Sequence, residues 1–214
     1  MNYKKYSNII ISILLLFILI VLLTPVIHAN GEVSYDSENY NLRSYFPLNP
    51  SMQSSFKGEG IEYASFKRNI MYVDNEYLQL TDDNGGTVVV KIYKVTDEKI
   101  IELYSEGEFY EEKNLIPEIE GNKKGNIILK TPLEVGNKWE SKEQKREIVS
   151  VKQIINVPAG TFHQVIKVKI SYTDSTNIGY EYFAPNIGLI KREYFGENFE
   201  VKSELETLHF NNRQ

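Results

Sequence analysis

Gln164-Val165-Ile166-Lys167-Val168-Lys169-Ile170-Ser171-Tyr172 decides the fold class. Ile166, Val168, Ile170 and Tyr172 fall on one parity, and Lys167, Lys169 and Ser171 on the other. Successive side chains of a pleated strand point to opposite faces, so this period of two predicts a strand with one apolar and one wet side. Phe199 to Thr207 repeats the pattern: Phe199, Val201 and Leu205 are predicted to face the core, and Glu200, Lys202, Glu204 and Glu206 water. Thr87 to Val95 is apolar on both parities, with Val88, Val90 and Ile92 against Val89, Tyr93 and Val95. That predicts a central strand covered on both sides.

Turn chemistry separates these runs. Val73-Asp74-Asn75-Glu76, Thr81 to Gly86, Thr96-Asp97-Glu98, Pro158-Ala159-Gly160, Asp174 to Asn177 and Gly196-Glu197-Asn198 each supply Asn, Asp or Gly, which tolerate the left-handed backbone of hairpin turns. Helical periodicity is thin: only the Glu-rich Ser105 to Leu115 hints at a weak helix, and Gly107 with Phe109-Tyr110 argues against it. The spacing predicts an all-β antiparallel meander of about 8–11 strands, closing as an incomplete barrel or stacking as a sandwich. An N-terminal hydrophobic helix is expected to precede it.

That helix is residues 9–29. Lys4 and Lys5 precede an apolar run from Ile9 to Leu23 broken only by Ser12, with Pro25 and Ala29 after it. A basic flank, an apolar run and a small residue before a polar segment are the parts of a secretory signal. Uncleaved, Ile9 to Ile27 is near the ~20 residues that cross a bilayer. Lys4 and Lys5 would stay inside, while Glu32, Asp36 and Glu38 lie outside. The predicted organisation is 1–29 signal peptide or transmembrane anchor, 30–41 polar spacer, and 42–214 a β-rich extracytoplasmic domain. The protein is thus expected to be exported, and then either held at the outer face of the cell membrane or secreted.

The 214 residues carry a net charge of −5, and removing Lys4 and Lys5 with the export segment deepens it. No basic stripe is offered to phosphates, which argues against a nucleic-acid partner. With no cysteine there is no disulfide framework and no N-terminal acylated Cys anchor, so the fold rests on its core.

A faint internal echo links Phe46-Pro47-Leu48, followed by Phe56, to Thr131-Pro132-Leu133, followed by Trp139. It raises the hypothesis of a duplicated half-domain, with Gly121 to Gly125 as the loop between halves.

Several further segments carry a resemblance: Tyr45-Phe46-Pro47-Leu48, Gly58 to Ala64, Asn84-Gly85-Gly86-Thr87, Val135-Gly136-Asn137-Lys138-Trp139, Val157 to Phe162 and Tyr182 to Ile190. Together they resemble an exported β-rich domain of Gram-positive bacterial proteins, with distant similarity to half-barrel envelope proteins of the lipoprotein-carrier kind. The resemblance implies a β-rich fold and says little of activity, because the matching residues are turn formers and core aromatics. Asn49 to Phe56 departs from the Gly-Asn-x-Trp often found at that position, so the register of the first strand stays open.

Catalytic constellations are absent from the sequence: no Gly-x-Ser-x-Gly, no Ser-x-x-Lys and no Cys nucleophile. His163 and His209, with no carboxylate cluster beside them, do not make a metal site, and His163 is expected at a strand start with its ring exposed. Asp82-Asp83-Asn84-Gly85-Gly86 has parts of a calcium loop, yet a hairpin turn explains every residue in it. Glu108, Glu111 and Glu112 are expected on a solvated face, pairing with Lys113 or Lys99. No cofactor is expected.

Fifteen tyrosines and ten phenylalanines remain to be placed. Tyr63, Phe66, Tyr72, Tyr93, Tyr104, Tyr180, Tyr182 and Tyr194 are the candidates for walling a groove, since amphipathic rings suit a peptide, glycan or lipid tail. They could equally be core aromatics with rim hydroxyls. The leading expectation is a non-enzymatic binding or interaction module whose partner is an envelope protein, a glycan or a lipid. The second is a lipid or lipoprotein carrier with an aromatic-lined half-barrel, and a hydrolase comes third. A carrier needs a continuous apolar cavity of several hundred Å³, whereas an interaction module can have a filled core.

Overall fold

The computed structural model describes residues 41–46, 48–119, 124–141 and 144–210. The export segment 1–29 and nearly all of the spacer 30–41 lie outside them. No helix among the described residues is long and apolar enough to cross a membrane.

The domain is all-β, with twelve antiparallel strands where about 8–11 were expected from turn spacing. These are β1 Met52–Glu59, β2 Phe66–Asp74, β3 Tyr77–Asp83, β4 Val88–Val95, β5 Lys99–Glu106 and β6 Asn126–Lys130. They continue as β7 Lys138–Ser141, β8 Gln144–Val157, β9 Gly160–Tyr172, β10 Ile178–Ala184, β11 Gly188–Phe195 and β12 Glu200–Phe210. The extra strands are short pieces, such as β7, that carry too few residues to show a period.

Strand order is β6-β5-β4-β3-β2-β1-β12-β11-β10-β9-β8-β7. Two six-strand meanders therefore join where β1 pairs with β12. Each meander begins just after one of the two Pro-Leu segments. The division between them falls between β6 and β7, at 131–137, and not at Gly121 to Gly125, which precedes β6. The first strand's register is regular at its start, with Met52, Ser54 and Phe56 buried. A bulge against β12 lies between Ser55 and Phe56.

Laid flat, twelve strands at about 4.8 Å spacing would span roughly 50 Å. Instead Ile70 of β2, Ile100 of β5, Trp139 of β7, Ile148 of β8 and Phe183 of β10 share one buried cluster. The sheet has curled into an incomplete barrel. Its edges β6 and β7 meet through side chains. Trp139 Nε1 donates to Ile127 O at 3.0 Å, Ser141 Oγ accepts from the Ile127 amide, and Arg146 Nη1 donates to Ile128 O at 3.1 Å.

β4 is covered on both faces, as its sequence requires. Tyr93 and Val95 join the main core, while Val90 and Ile92 pack on the opposite side against Leu115, Ile116 and Ile119. The covering segment contains a four-residue helix, α1 Ile116–Ile119, that begins just after the stretch where weak helicity was expected. Buried Gln79 clamps it, accepting from the Leu115 amide at 2.7 Å and donating to Lys113 O at 2.7 Å. Lys113 pairs with Glu118 at 2.8 Å, not with the exposed Glu108, Glu111 or Glu112.

The late strand needs correction at one end. Leu205 is fully buried as expected, but Phe199 precedes β12 and is 52% exposed. The turn at Gly196 lifts it off the sheet. Lys202 and Glu204 are half-buried and not bathed in water: Glu204 meets Lys191 at 3.1 Å, and Lys202 meets Glu59 at 3.0 Å. Each of the six expected hairpin turns spans a connection between consecutive strands, though residues 73–74, 81–83 and Gly160 belong to the strands themselves. The long β8–β9 hairpin also bends back, and the Ala159 amide at its tip donates to Leu205 O at 3.0 Å.

Candidate ligand-binding cleft

In an antiparallel meander, alternate connections share an end. The β1–β2, β3–β4, β9–β10 and β11–β12 connections gather at one end of the barrel, and the chain enters at Asn41 at the other.

At the first end the register builds a site. Ile170 pairs with Gly179 and Val168 with Glu181, while Glu181 faces Arg192, Gly179 faces Tyr194, Arg192 faces Ser203 and Tyr194 faces Val201. Paired and alternate residues lie on the same side of a sheet, so this set shares one face. The face lines an open cleft of about 350 Å³, walled by Ile61, Tyr63, Tyr172, Tyr194, Phe199 and Val201, with Glu181 and Arg192 among its lining. The mouths of β-barrels are recurrent ligand sites, and this volume is at the small end of their range.

Small residues shape the wall. A Cβ on Gly196 would sit 2.3 Å from the Phe199 ring, so only glycine lets that ring fold back over the turn. Tyr194 and Phe199 are 5.7 Å apart between centroids, and Tyr172 meets Tyr194 edge-on at 5.5 Å. Asn177 Nδ2 donates to Tyr194 Oη. On the other side, Gly60 at φ +100° brings the β1–β2 loop against Glu200 O, which a Cβ would approach to 2.0 Å. That loop carries Ile61 and Tyr63, both 49% exposed, and Ser203 Oγ pins it by donating to Ala64 O at 2.6 Å.

Beneath the mouth lies a ladder of charge. Arg68 grips Asp82 with two bonds, Nε to Oδ1 at 2.7 Å and Nη2 to Oδ2 at 2.8 Å, and Lys91 adds Nζ to Oδ2 at 3.1 Å. Desolvation pushes the Asp82 carboxyl up, but the charges of Arg68 and Lys91 outweigh it and hold the group well below the usual range. Buried Arg146 holds Glu181 at 2.8 Å. Arg192 differs: Nε donates to Ser203 Oγ at 3.1 Å, and its guanidinium lies 4.4 Å from the Phe66 centroid. Among the described residues no carboxylate comes within ion-pair distance of it. Desolvation lowers the Arg192 pKa; Arg68 adds to the lowering, while Asp82 and Glu181 oppose it.

The cleft brings together Tyr63, Tyr180 and Tyr194 of the eight residues picked from the sequence. Tyr180 borders it, with Lys167 Nζ 4.0 Å from its ring centroid. Phe66 is stacked on Phe56 at 4.3 Å, below Arg192. Tyr93 is buried against Phe46 and donates to Glu102 at 3.0 Å, and Tyr182 is buried and donates to Glu193 at 2.6 Å. Tyr72 and Tyr104 pack on the opposite side of the sheet with the α1 segment. Tyr172, Arg192 and Glu181 were missed, though the alternation of β9, β10 and β11 points to them once the inner face is known.

Other places hold less. The Asp82–Gly86 stretch divides: Asn84 to Thr87 makes the turn, with Gly85 at φ +83°, whereas Asp82 is a buried ion-pair member with no carboxylate to spare for calcium. His163 is half-buried, not exposed, and His209 lies on β12, with β11 and β10 between it and β9. No group of three or more potential metal-ligating side chains occurs among the described residues. A cleft of about 380 Å³ over β7–β9 is lined by Lys138, paired with Glu147 at 3.3 Å, by Lys145, paired with Glu140 at 3.5 Å, and by Lys169.

No protein-family model matches the chain, and no curated protein matches it in sequence. Among solved structures, a lipoprotein candidate from Parabacteroides distasonis aligns at a TM-score of 0.45 and 16% identity, covering 77% of this chain and 98% of that one. A candidate exported protein with a YmcC-like fold from Bacteroides fragilis aligns at 0.42 and 14%, with the same coverage. At these scores the likeness is distant and assigns this chain neither a location nor a ligand.

Proposed function

We propose that this protein is an exported, non-enzymatic binding module that takes a small amphipathic ligand in the aromatic mouth of its barrel. Export rests on Lys4, Lys5 and the apolar run to Ala29. Binding rests on one observation: Tyr172, Tyr194, Phe199, Ile61 and Tyr63 wall an open cleft of about 350 Å³ while Phe199, Ile61 and Tyr63 stay about half exposed. Aromatic side chains left uncovered around a concavity are the composition of a recognition surface.

The carrier alternative is less well supported. The barrel interior is filled by side chains, and the void among Phe46, Met52, Ile70, Leu78, Leu80 and Leu189 measures about 20 Å³. That is room for a single water molecule, not for an acyl chain.

A fragment screen by amide NMR on residues 30–214 tests the reading. Aromatic fragments should perturb 61–63, 170–181 and 192–201, and Phe199→Ala should weaken them at least several-fold without changing the fold. Hits confined to 138–147, or hits indifferent to Phe199, would refute it.

A further inference from the structure

We propose that Arg192 makes the mouth selective for a small monocarboxylate, whose charged end meets the guanidinium and whose apolar body lies between Tyr172, Tyr194 and Phe199. The inference rests on the reading of the mouth as a binding cleft and adds the chemical class of its ligand.

The argument is one of unspent hydrogen-bonding capacity. A guanidinium carries five N–H donors in a planar fork that matches a carboxylate. Arg68 spends its fork on Asp82, and Arg146 spends Nη1 on Glu181 and Ile128 O and Nε on Gln144 Oε1. Arg192 donates through Nε to Ser203 Oγ, and no described residue accepts from Nη1 or Nη2. Its Cζ lies 4.4 Å from the Phe66 ring centroid, so the Ser203 bond and this contact hold the guanidinium in place before a ligand arrives.

The carboxylates nearby are already committed. Glu181 accepts from Arg146 at 2.8 Å, and Glu193 accepts from Tyr182 at 2.6 Å and meets Lys191 at 2.8 Å. On the inner face, Asp82, Glu102 and Glu181 stand against Arg68, Lys91, Arg146 and Arg192. The inner face beneath the mouth thus carries uncompensated positive charge under an aromatic wall. A partly desolvated cation in that setting favours an anion over a neutral molecule of equal shape. A single carboxylate suffices, because Arg192 alone of the four cations lines the cleft.

The probe pair is 4-phenylbutyrate and 4-phenylbutyramide, alike in shape and different in charge, titrated into residues 30–214 by amide NMR and calorimetry. The acid should bind at least tenfold tighter than the amide. Arg192→Met should abolish that gap while leaving the amide's affinity unchanged, and Arg192→Lys should restore part of it. Phe199→Ala should weaken both probes equally, and that variant is at an exposed position where folding is not at risk. Equal affinity of acid and amide for the unaltered protein would overturn the Arg192 assignment and leave the cleft standing. Failure of both probes to bind would overturn the cleft reading with it.

Discussion

Replacing Asp82 by Asn should be among the most damaging single changes in this domain. The side chains of Arg68 and Asp82 are only 11% and 9% exposed, and Lys91 is 20% exposed. Asn keeps the shape and can still accept one bond, so what the change removes is charge. At an effective dielectric near 20, each contact at about 4 Å between charge centres contributes roughly 4 kcal/mol before desolvation is counted. Two such attractions vanish, and Arg68 and Lys91 are left facing one another without a counterion. Removing one partner of a buried pair costs about 3–5 kcal/mol, and the orphaned second cation places this site at the upper end. For a domain of this size, that is a fall of roughly 10–20 °C in melting temperature. Asp82 carries a pH signature as well. Its carboxyl is depressed in the folded state, so its contribution is complete above the unfolded carboxylate value of about 3.9 and is lost as pH falls below it. Urea unfolding at pH 7 and at pH 3 measures both effects. The gap between the unaltered protein and Asp82→Asn should narrow at pH 3. A cost below about 1 kcal/mol at pH 7 would show that water screens this pair and that the inner face is not dry.

Two further outcomes are expected. Leu205→Ala should cost about 2–4 kcal/mol, through lost transfer energy and the cavity left among Phe56, Phe66 and Ile190, whereas exposed Glu206→Ala should stay within about 0.5 kcal/mol; comparable losses at the two would mean the face is misassigned. Protease added to intact spheroplasts should digest any domain still tethered through residues 9–29, and a domain protected there yet digested after lysis would place it in the cytoplasm and end the export reading.

Local pattern carried most of the strand boundaries. The alternation in Gln164 to Tyr172 is β9, and the Asn, Asp and Gly clusters are its sister hairpins, because turn conformation is a property of a few adjacent residues. Phe199 shows where locality fails. Its parity extends the β12 pattern backwards by one residue, but Gly196 admits the Phe199 ring over the turn and ends the strand first. Asp82 fails for a different reason. Its neighbours Asp83, Asn84 and Gly85 do form a turn, and only the pairing of β2 with β3, fourteen residues apart along the chain at Arg68, discloses a buried charge.

The mouth itself was hidden by curvature. A strand's sequence gives two faces and does not say which one the closed sheet turns inward. On β11, Lys191 and Glu193 look like the polar face and Arg192 looks no less polar, so no hydrophobic contrast marks the side that counts. Closure decides it: β1 pairs with β12, and Trp139, Ser141 and Arg146 reach across to β6, so the face bearing Glu181, Arg192 and Tyr194 becomes the concave one. The same closure converts Arg192 from one surface cation among many into a desolvated one under an aromatic wall. A variant that loosens the seam without touching the mouth, such as Trp139→Phe, which removes the indole donor and part of the buried ring volume, separates the two contributions. If the curl creates the anion preference, loosening the seam should lower affinity for 4-phenylbutyrate more than for its amide. A loss equal for both would mean that the aromatic wall alone depends on closure and that Arg192 draws its strength from its immediate neighbours.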